Sequence, residues 1–362
     1  MDKHISAISS ISQIFGDTCT KDEAIALLEN MPESYSTFQR LKPSIQEQLL
    51  SFLQGKEGLR ITYNQPFLHI FNPDIHPERL ESLLEVLIGQ PVTIRQVLPN
   101  DGERLAEHGS LVIMDIIAEL EDGSIVDVEM QKIGYLFPGQ RSSCYVSDMI
   151  MRQYNRVRNE RKKEFSYSDL KPVYLIILME QSPEEFQIYP YAYIHRKITT
   201  YSSGIQLPEL ANIIYVSLDT FRSIVQNVDS ELNAWLTFLG CTESSRILDL
   251  VRKYPKFLDL YKDMALFRTN PKELIFMFSE ALYILDRNTE KYMVEEQNRK
   301  IKEQEKIIAT NEKLIEASQK QIEENEKQIE EKEKQIVEKE KQIAENEKQI
   351  AELKEKLRQL QS

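Results

Sequence analysis

The sequence predicts an α/β protein built on the order helix-strand-strand-strand-helix-strand, with a helical N-terminal extension and a long C-terminal helix of heptad repeats. Three observations predict it. Leu111 to Lys132 reads as a β-hairpin, with Ile/Val/Met-rich arms on either side of Glu121-Asp122-Gly123-Ser124. Val173 to Met179 is an unbroken apolar run of strand length, the pattern of a strand buried on both faces. From Ile301 to Leu357 an aliphatic residue recurs every seven positions, a helical repeat.

Four regions follow along the chain. Residues 1–60 form a helical extension, with amphipathic helices at Lys21–Glu29 and Ser44–Leu53 separated by Pro32 and Pro43. Residues 61–180 hold the core. There, Pro77 near the start and Gly89 after the end bracket a helix over His76–Ile88, followed by a strand over Val92–Leu98, the hairpin, a helix from Pro138-Gly139 to about Lys163, and the strand at Val173. Residues 181–290 continue the globular part with strands near Tyr191–Lys197 and Ile213–Leu218. Helices follow at Ser230–Leu239, Ser244–Lys253 and Pro255–Leu266, and another opens at Pro271. Trp235 and His69 read as core side chains. Residues 291–362 are the long helix.

The hairpin carries the chemistry. A three-residue loop, Glu121-Asp122-Gly123, puts glycine at the left-handed position of a type I turn with a G1 bulge, where the missing Cβ removes the steric penalty. Leu120 then pairs with Ser124, Glu119 with Ile125, Ile117 with Asp127, and Asp115 with Glu129. Directly opposed residues share a face, and Gln131 lies on it too by alternation. A two-residue loop slips the register by one and separates Asp115 from Glu129. Two opposed carboxylates are costly to bury without a positive charge between them, and a Mg²⁺-like cation is the natural occupant. A solvated hairpin face would also tolerate both acids.

In this order of elements, the residues Ile70-Phe71-Asn72-Pro73, Met114-Asp115-Ile116, Asp127-Val128-Glu129-Met130-Gln131 and Phe137-Pro138-Gly139-Gln140-Arg141 with Tyr145 carry a resemblance. The chain resembles the PD-(D/E)XK nuclease superfamily, and more narrowly its transposase group of recombination-promoting nucleases, from about Tyr63 to Asp286. The resemblance implies a restriction-endonuclease-like mixed sheet. It also implies a DNA endonuclease of mobile-element or recombination biology that uses Mg²⁺ or Mn²⁺. Asp115, Glu129 and the Met130 carbonyl would hold the metal. Gln131 stands where the superfamily usually has the lysine that orients the attacking water, so Asp115, Glu129 and Gln131 form the catalytic set. Glu81 or Glu85 would add an outer-shell carboxylate, or serve as helix-surface charges. Where relatives tend to have Asp and Lys, this chain has Asn64 and Leu68. The alternative is a nuclease fold of weak or lost activity that binds DNA or protein.

On the helix after the hairpin, Arg141, Tyr145, Arg152, Arg156 and Lys163 fall within about a 60° stripe. Val146, Ile150, Tyr154 and Val157 lie opposite, toward the sheet. A basic stripe with an aromatic suits a phosphate backbone, so Arg141, Tyr145, Arg152 and Arg156 are DNA-binding candidates, Arg141 foremost. The competing reading pairs Asp148 with Arg152 on an ordinary solvated face.

The formal charge is −13, of which residues 301–362 carry 13 Lys and Arg against 16 Asp and Glu, leaving −10 for the rest. Non-specific DNA affinity is therefore expected to be weak and to come from a local basic patch. The 3 cysteines, Cys19, Cys144 and Cys241, show neither a disulfide framework nor zinc-ligand spacing, and they fit a reducing cytoplasm. No signal peptide, membrane span or nucleotide cofactor is expected.

With Ile at position a of the C-terminal heptads, position d is polar until Leu353 and Leu360. One isoleucine per heptad buries half the usual seam. The tail is then either a weak parallel coiled coil or a solvated single helix supported by pairs such as Glu323–Lys327 and Glu330–Lys334. In the first case, residues 301–362 make a homo-oligomer.

Overall fold

A computed structural model describes residues 8–62, 64–98, 116–131 and 138–360. The chain divides into two compact units, Met1–Tyr292 and Met293–Ser362.

The first unit opens with helices α1 (Ser12–Phe15), α2 (Lys21–Glu29), α3 (Pro32–Arg40) and α4 (Pro43–Leu53). Thr20 and Glu23 form a reciprocal capping box at the start of α2. Pro32 and Pro43 do not separate helices; they begin α3 and α4. At the first helical position proline's fixed φ is already helical and its missing N–H has no partner to lose. Leu28, Leu49 and Phe52 share one apolar core with Leu250, Tyr261 and Met264 from the other end of the unit. Arg268 ties the two ends together, donating to the carbonyls of Leu53 and Asp17, each at 2.9 Å, and to that of Phe15.

Helices α5 (Asn64–Ile70) and α6 (Pro77–Ile88) lead into the sheet, and α6 ends at Gly89 in the left-handed region, φ 88°. His69 sits exposed on α5 with its ring centroid 4.9 Å from that of Phe267; the expectation of a core histidine is corrected, because the buried side of α5 is taken by Phe67 and Ile70. Trp235 is buried as expected and donates to Ser82 Oγ at 3.2 Å.

The sheet strands are β1 (Ile94–Val97), β2 (Ile116–Leu120), β3 (Ile125–Gln131), β4 (Val173–Met179), β5 (Ile194–Arg196) and β6 (Ala211–Ser217). Their order is β1-β2-β3-β4-β6-β5; β3/β4 and β4/β6 are parallel and the other three pairs antiparallel. β4 therefore has a parallel partner on each side, and its apolar run is buried on both faces. Helix α7 (Pro138–Arg161) covers one face of the sheet, packing on Ile117, Ile125, Leu175 and Ile177. Val126, Val128, Met130, Ile176 and Leu178 point the other way, into the core shared with α6 and the helices that follow the sheet. Those helices are α9 (Leu218–Ile224), α10 (Glu231–Gly240), α11 (Ser244–Lys253) and α12 (Phe257–Thr269), whereas the short α8 (Glu184–Gln187) lies between β4 and β5 with Phe186 packed on the α7 side. The last element, α13 (Pro271–Leu360), begins at Pro271.

Within the second unit the described residues are helical. The repeating isoleucines lie exposed, from 51% at Ile301 to 58% at Ile315, so a single helix leaves the stripe uncovered. Glu330 and Lys334 pair at 2.8 Å along the helix. Among the described residues no helix is long and apolar enough to cross a membrane.

Candidate active site

The hairpin turn has the three-residue geometry its sequence demands. Gly123 adopts φ 86°, its amide donates to the Leu120 carbonyl at 2.9 Å, and the Leu120 amide donates to the Ser124 carbonyl at 2.8 Å. Asp122 secures the exit: its two carboxylate oxygens accept from the Ser124 amide and hydroxyl, each at 2.9 Å. With the turn so closed, Glu119 pairs with Ile125, Ile117 with Asp127 and Ile116 with Val128. Asp115 lies outside the described residues, as does Lys132.

Asp127, Glu129 and Gln131 share the α7 face of β3 by alternation. Asp127 is fully buried and Glu129 is 6% exposed. Glu129 and Gln131 line a recess between strand and helix, closed by Arg141, Tyr145 and Tyr215 with the apolar Leu175 and Ile177. Inside it, Ser142 Oγ and the Tyr215 hydroxyl lie 2.6 Å apart, and both reach the Pro138 carbonyl, at 2.7 and 3.2 Å. Burial raises the Tyr215 phenol above its ordinary pKa, against the lowering effect of its bond with Ser142. Arg141 Nη2 donates to the Tyr145 hydroxyl at 3.4 Å.

A family model described as PD-(D/E)XK nuclease family transposase matches residues 67–294, a span that includes the hairpin, the recess and all six strands. The chain belongs to this family. Comparisons with curated proteins and with solved structures found no match. The mixed α/β architecture is consistent with the PD-(D/E)XK fold.

In this PD-(D/E)XK chain the structure brings Glu129, Gln131, Arg141 and Tyr145 to one recess, whose lining does not include Glu81, Glu85, Arg152 or Arg156. The helix is rotated from its expected setting. Ser142, Tyr145, Val146, Met149 and Gln153 form its buried side, and Tyr154 turns away to stack on Tyr167. The Tyr145 ring belongs to one buried cluster with Ile117, Ile125 and Met149. The guanidinium of Arg152 pairs with Asp148 at 2.6 Å. Arg156 pairs with the buried Glu119, which also accepts from Gln96 at 2.6 Å and Arg95 at 3.3 Å. Both arginines therefore have carboxylate partners within the protein.

Glu81 and Glu85 also have structural work. Glu81 accepts from the Ile94 amide at 2.7 Å and Glu85 from the Val92 amide at 3.3 Å, tying α6 to the start of β1. Their helix packs on the face of the sheet opposite Glu129. Sequence reading missed Tyr215 and Ser142. Tyr215 reaches the recess from β6, and only the parallel β4/β6 pairing brings it there. Among the described residues no three His, Cys, Asp or Glu side chains form a metal-sized cluster; Asp115 is not among those residues.

Proposed function

We propose that this chain is a metal-dependent DNA endonuclease of the transposase or recombination-promoting type, acting at the recess between β3 and α7. One observation supports the reading: the ladder runs Ile117 to Asp127 and Ile116 to Val128, and a pair continued in this register would set Asp115 opposite Glu129. Hard oxygen donors of this kind suit Mg²⁺ or Mn²⁺, and the residues that would hold the ion are Asp115, Glu129 and the Met130 carbonyl. The bound ion would lower the pKa of a water and neutralise charge building on the phosphorus oxygens.

The chain's own groups do the rest. Gln131, two residues from Glu129 on the same face, can orient a water through its amide but cannot carry its proton, which must leave to solvent or to a phosphate oxygen. Attack of that water forms one P–O bond as the opposite ester P–O bond breaks. Arg141 offers a planar fork of donors to a phosphate, and Tyr145 braces it from the buried side of α7. Leu175 and Ile177 form a dry wall that strengthens each of these charge interactions.

Gln131 in the usual lysine position favours one alternative, a nuclease fold kept for binding DNA or protein with little turnover. The tail contributes separately. A parallel coiled coil sets the Glu-rich e positions, such as Glu326 and Glu333, beside the Gln-rich g′ positions, whereas an antiparallel one opposes Glu to Glu. We therefore infer a weak parallel homo-oligomer through residues 301–362.

Supercoiled plasmid tests the main reading. Nicking in Mg²⁺ or Mn²⁺, abolished by chelation and by Asp115→Ala or Glu129→Ala, is the expected result. Activity that survives both substitutions removes this site, and binding without cleavage under broad conditions supports the alternative.

A further inference from the structure

Arg158, Arg161, Lys162 and Lys163 crowd the C-terminal end of α7 and the turn that follows, all four exposed. In a chain of net charge −13 this is a local excess of the opposite sign. Arg152 and Arg156, one turn earlier, are held by carboxylates. Among the described residues no carboxylate forms an ion pair with any of these four. Arg158 instead donates to the Tyr154 hydroxyl at 2.7 Å and sits 5.6 Å from the centre of its ring.

Beside these cations stands an aromatic cluster that belongs to neither apolar core. Tyr154 meets Phe165 edge-on at 5.4 Å, and Phe165 meets Tyr167 at 5.4 Å. Tyr167 lies nearly parallel to Tyr154, with centroids 6.4 Å apart and planes 20° from each other. The cluster holds the Tyr167 ring in place while leaving it 76% exposed, a braced aromatic face open to solvent. The segment is short and fixed: Ser166 and Asp169 cap each other across the turn that carries Tyr167.

We propose that this end of α7 is a second nucleic-acid contact that takes a single-stranded segment, one base stacking on Tyr167 and the flanking phosphates meeting Arg158, Arg161, Lys162 and Lys163. An exposed, braced ring beside cations that form no ion pair among the described residues combines the stacking platform and electrostatic track that single strands require, and a base inside a duplex has no free face to offer it. Arg158 lies 17 residues beyond Arg141, about 26 Å along the helix axis, so the contact is distinct from the recess. It rests on the proposal that DNA is the substrate, and it narrows that substrate to DNA with an unpaired flank.

Fluorescence anisotropy of the full chain with a labelled single-stranded oligonucleotide and its duplex, in EDTA, separates this contact from catalysis. Arg161→Gln/Lys162→Gln/Lys163→Gln is expected to weaken single-strand binding at least tenfold and to flatten its log–log salt dependence by about 2. Tyr167→Ala should lose about tenfold and Tyr167→Phe almost nothing, because the ring and not the hydroxyl does the stacking. Cations that merely complement the helix dipole would leave affinity unchanged and shift only the unfolding midpoint. Unchanged affinity in the triple variant, equal losses in Tyr167→Phe and Tyr167→Ala, or no single-strand binding by the wild type each overturns the proposal. Plasmid nicking measured alongside reports on the recess independently: Glu129→Ala should abolish nicking and keep the single-strand affinity.

Discussion

Gln153 holds Gly123: its side-chain Nε2 donates to the Gly123 carbonyl at 3.0 Å, while its Oε1 accepts from the Lys171 amide at 2.8 Å. One buried amide on α7 thus fixes the hairpin turn and the entry to β4 together. The turn sets the register, and the register decides which side chains of β2 face Glu129. Gln153→Leu is expected to cost about 2 kcal/mol, since it strands two backbone groups at once. Urea unfolding measures it; a loss of a few tenths would show that the amide bridges nothing of consequence.

Arg156 and Arg141 should separate cleanly. Arg156→Gln removes the helix partner of Glu119, which is 3% exposed, and should cost on the order of 2 kcal/mol in stability with DNA affinity unchanged. Arg141→Gln should do the reverse, weakening DNA binding or cleavage severalfold at constant stability. Paired denaturation and binding curves for the two variants provide the check.

Much of this arrangement was legible in the sequence. Glu-Asp-Gly-Ser states its own turn, because the left-handed position tolerates glycine best, and the pairing of Ile117 with Asp127 follows by counting. The apolar run at Val173 announced a strand with neighbours on both sides. The rotation of α7 was not legible. A helical wheel groups Tyr145 with the arginines, and only the packing of the folded chain buries Tyr145 with Ile117 and Ile125 and leaves Tyr154 outside. Tyr215 gave no local signal, since a tyrosine on a strand acquires its meaning from the helix that lands beside it. Pro32 and Pro43 were visible but ambiguous, proline being both a helix breaker and a helix starter.

Alkaline pH should destabilise the first unit through Cys241. Burial raises its thiol from 9.0 to about 11, with Arg246 pulling the other way. A folded pKa above the unfolded one means that this contribution is complete below about pH 9 and is lost as the pH rises to 11. Burial also pushes the Tyr261 phenol well above its ordinary value, adding a loss in the same direction at higher pH. The urea midpoint should fall across this window, and Cys241→Ala should make the fall shallower.

Removal of the chain after Arg299 tests the tail. Light scattering should give at least twice the chain mass for the full-length protein at high concentration, declining on dilution because only one residue per heptad is aliphatic along most of the seam. The truncated protein should be monomeric. The same oligomeric state before and after truncation would reject self-association through the heptads.

In the proposed site Asp115 and Glu129 share one divalent cation. Mn²⁺ titration of the folded protein, followed by the loss of the free-ion EPR signal, tests it most directly. The expected result is one site in the wild type, lost in both Asp115→Asn and Glu129→Gln, with metal-free unfolding midpoints unchanged. Equal Mn²⁺ binding by the wild type and both variants would rule out a cation shared by these two carboxylates.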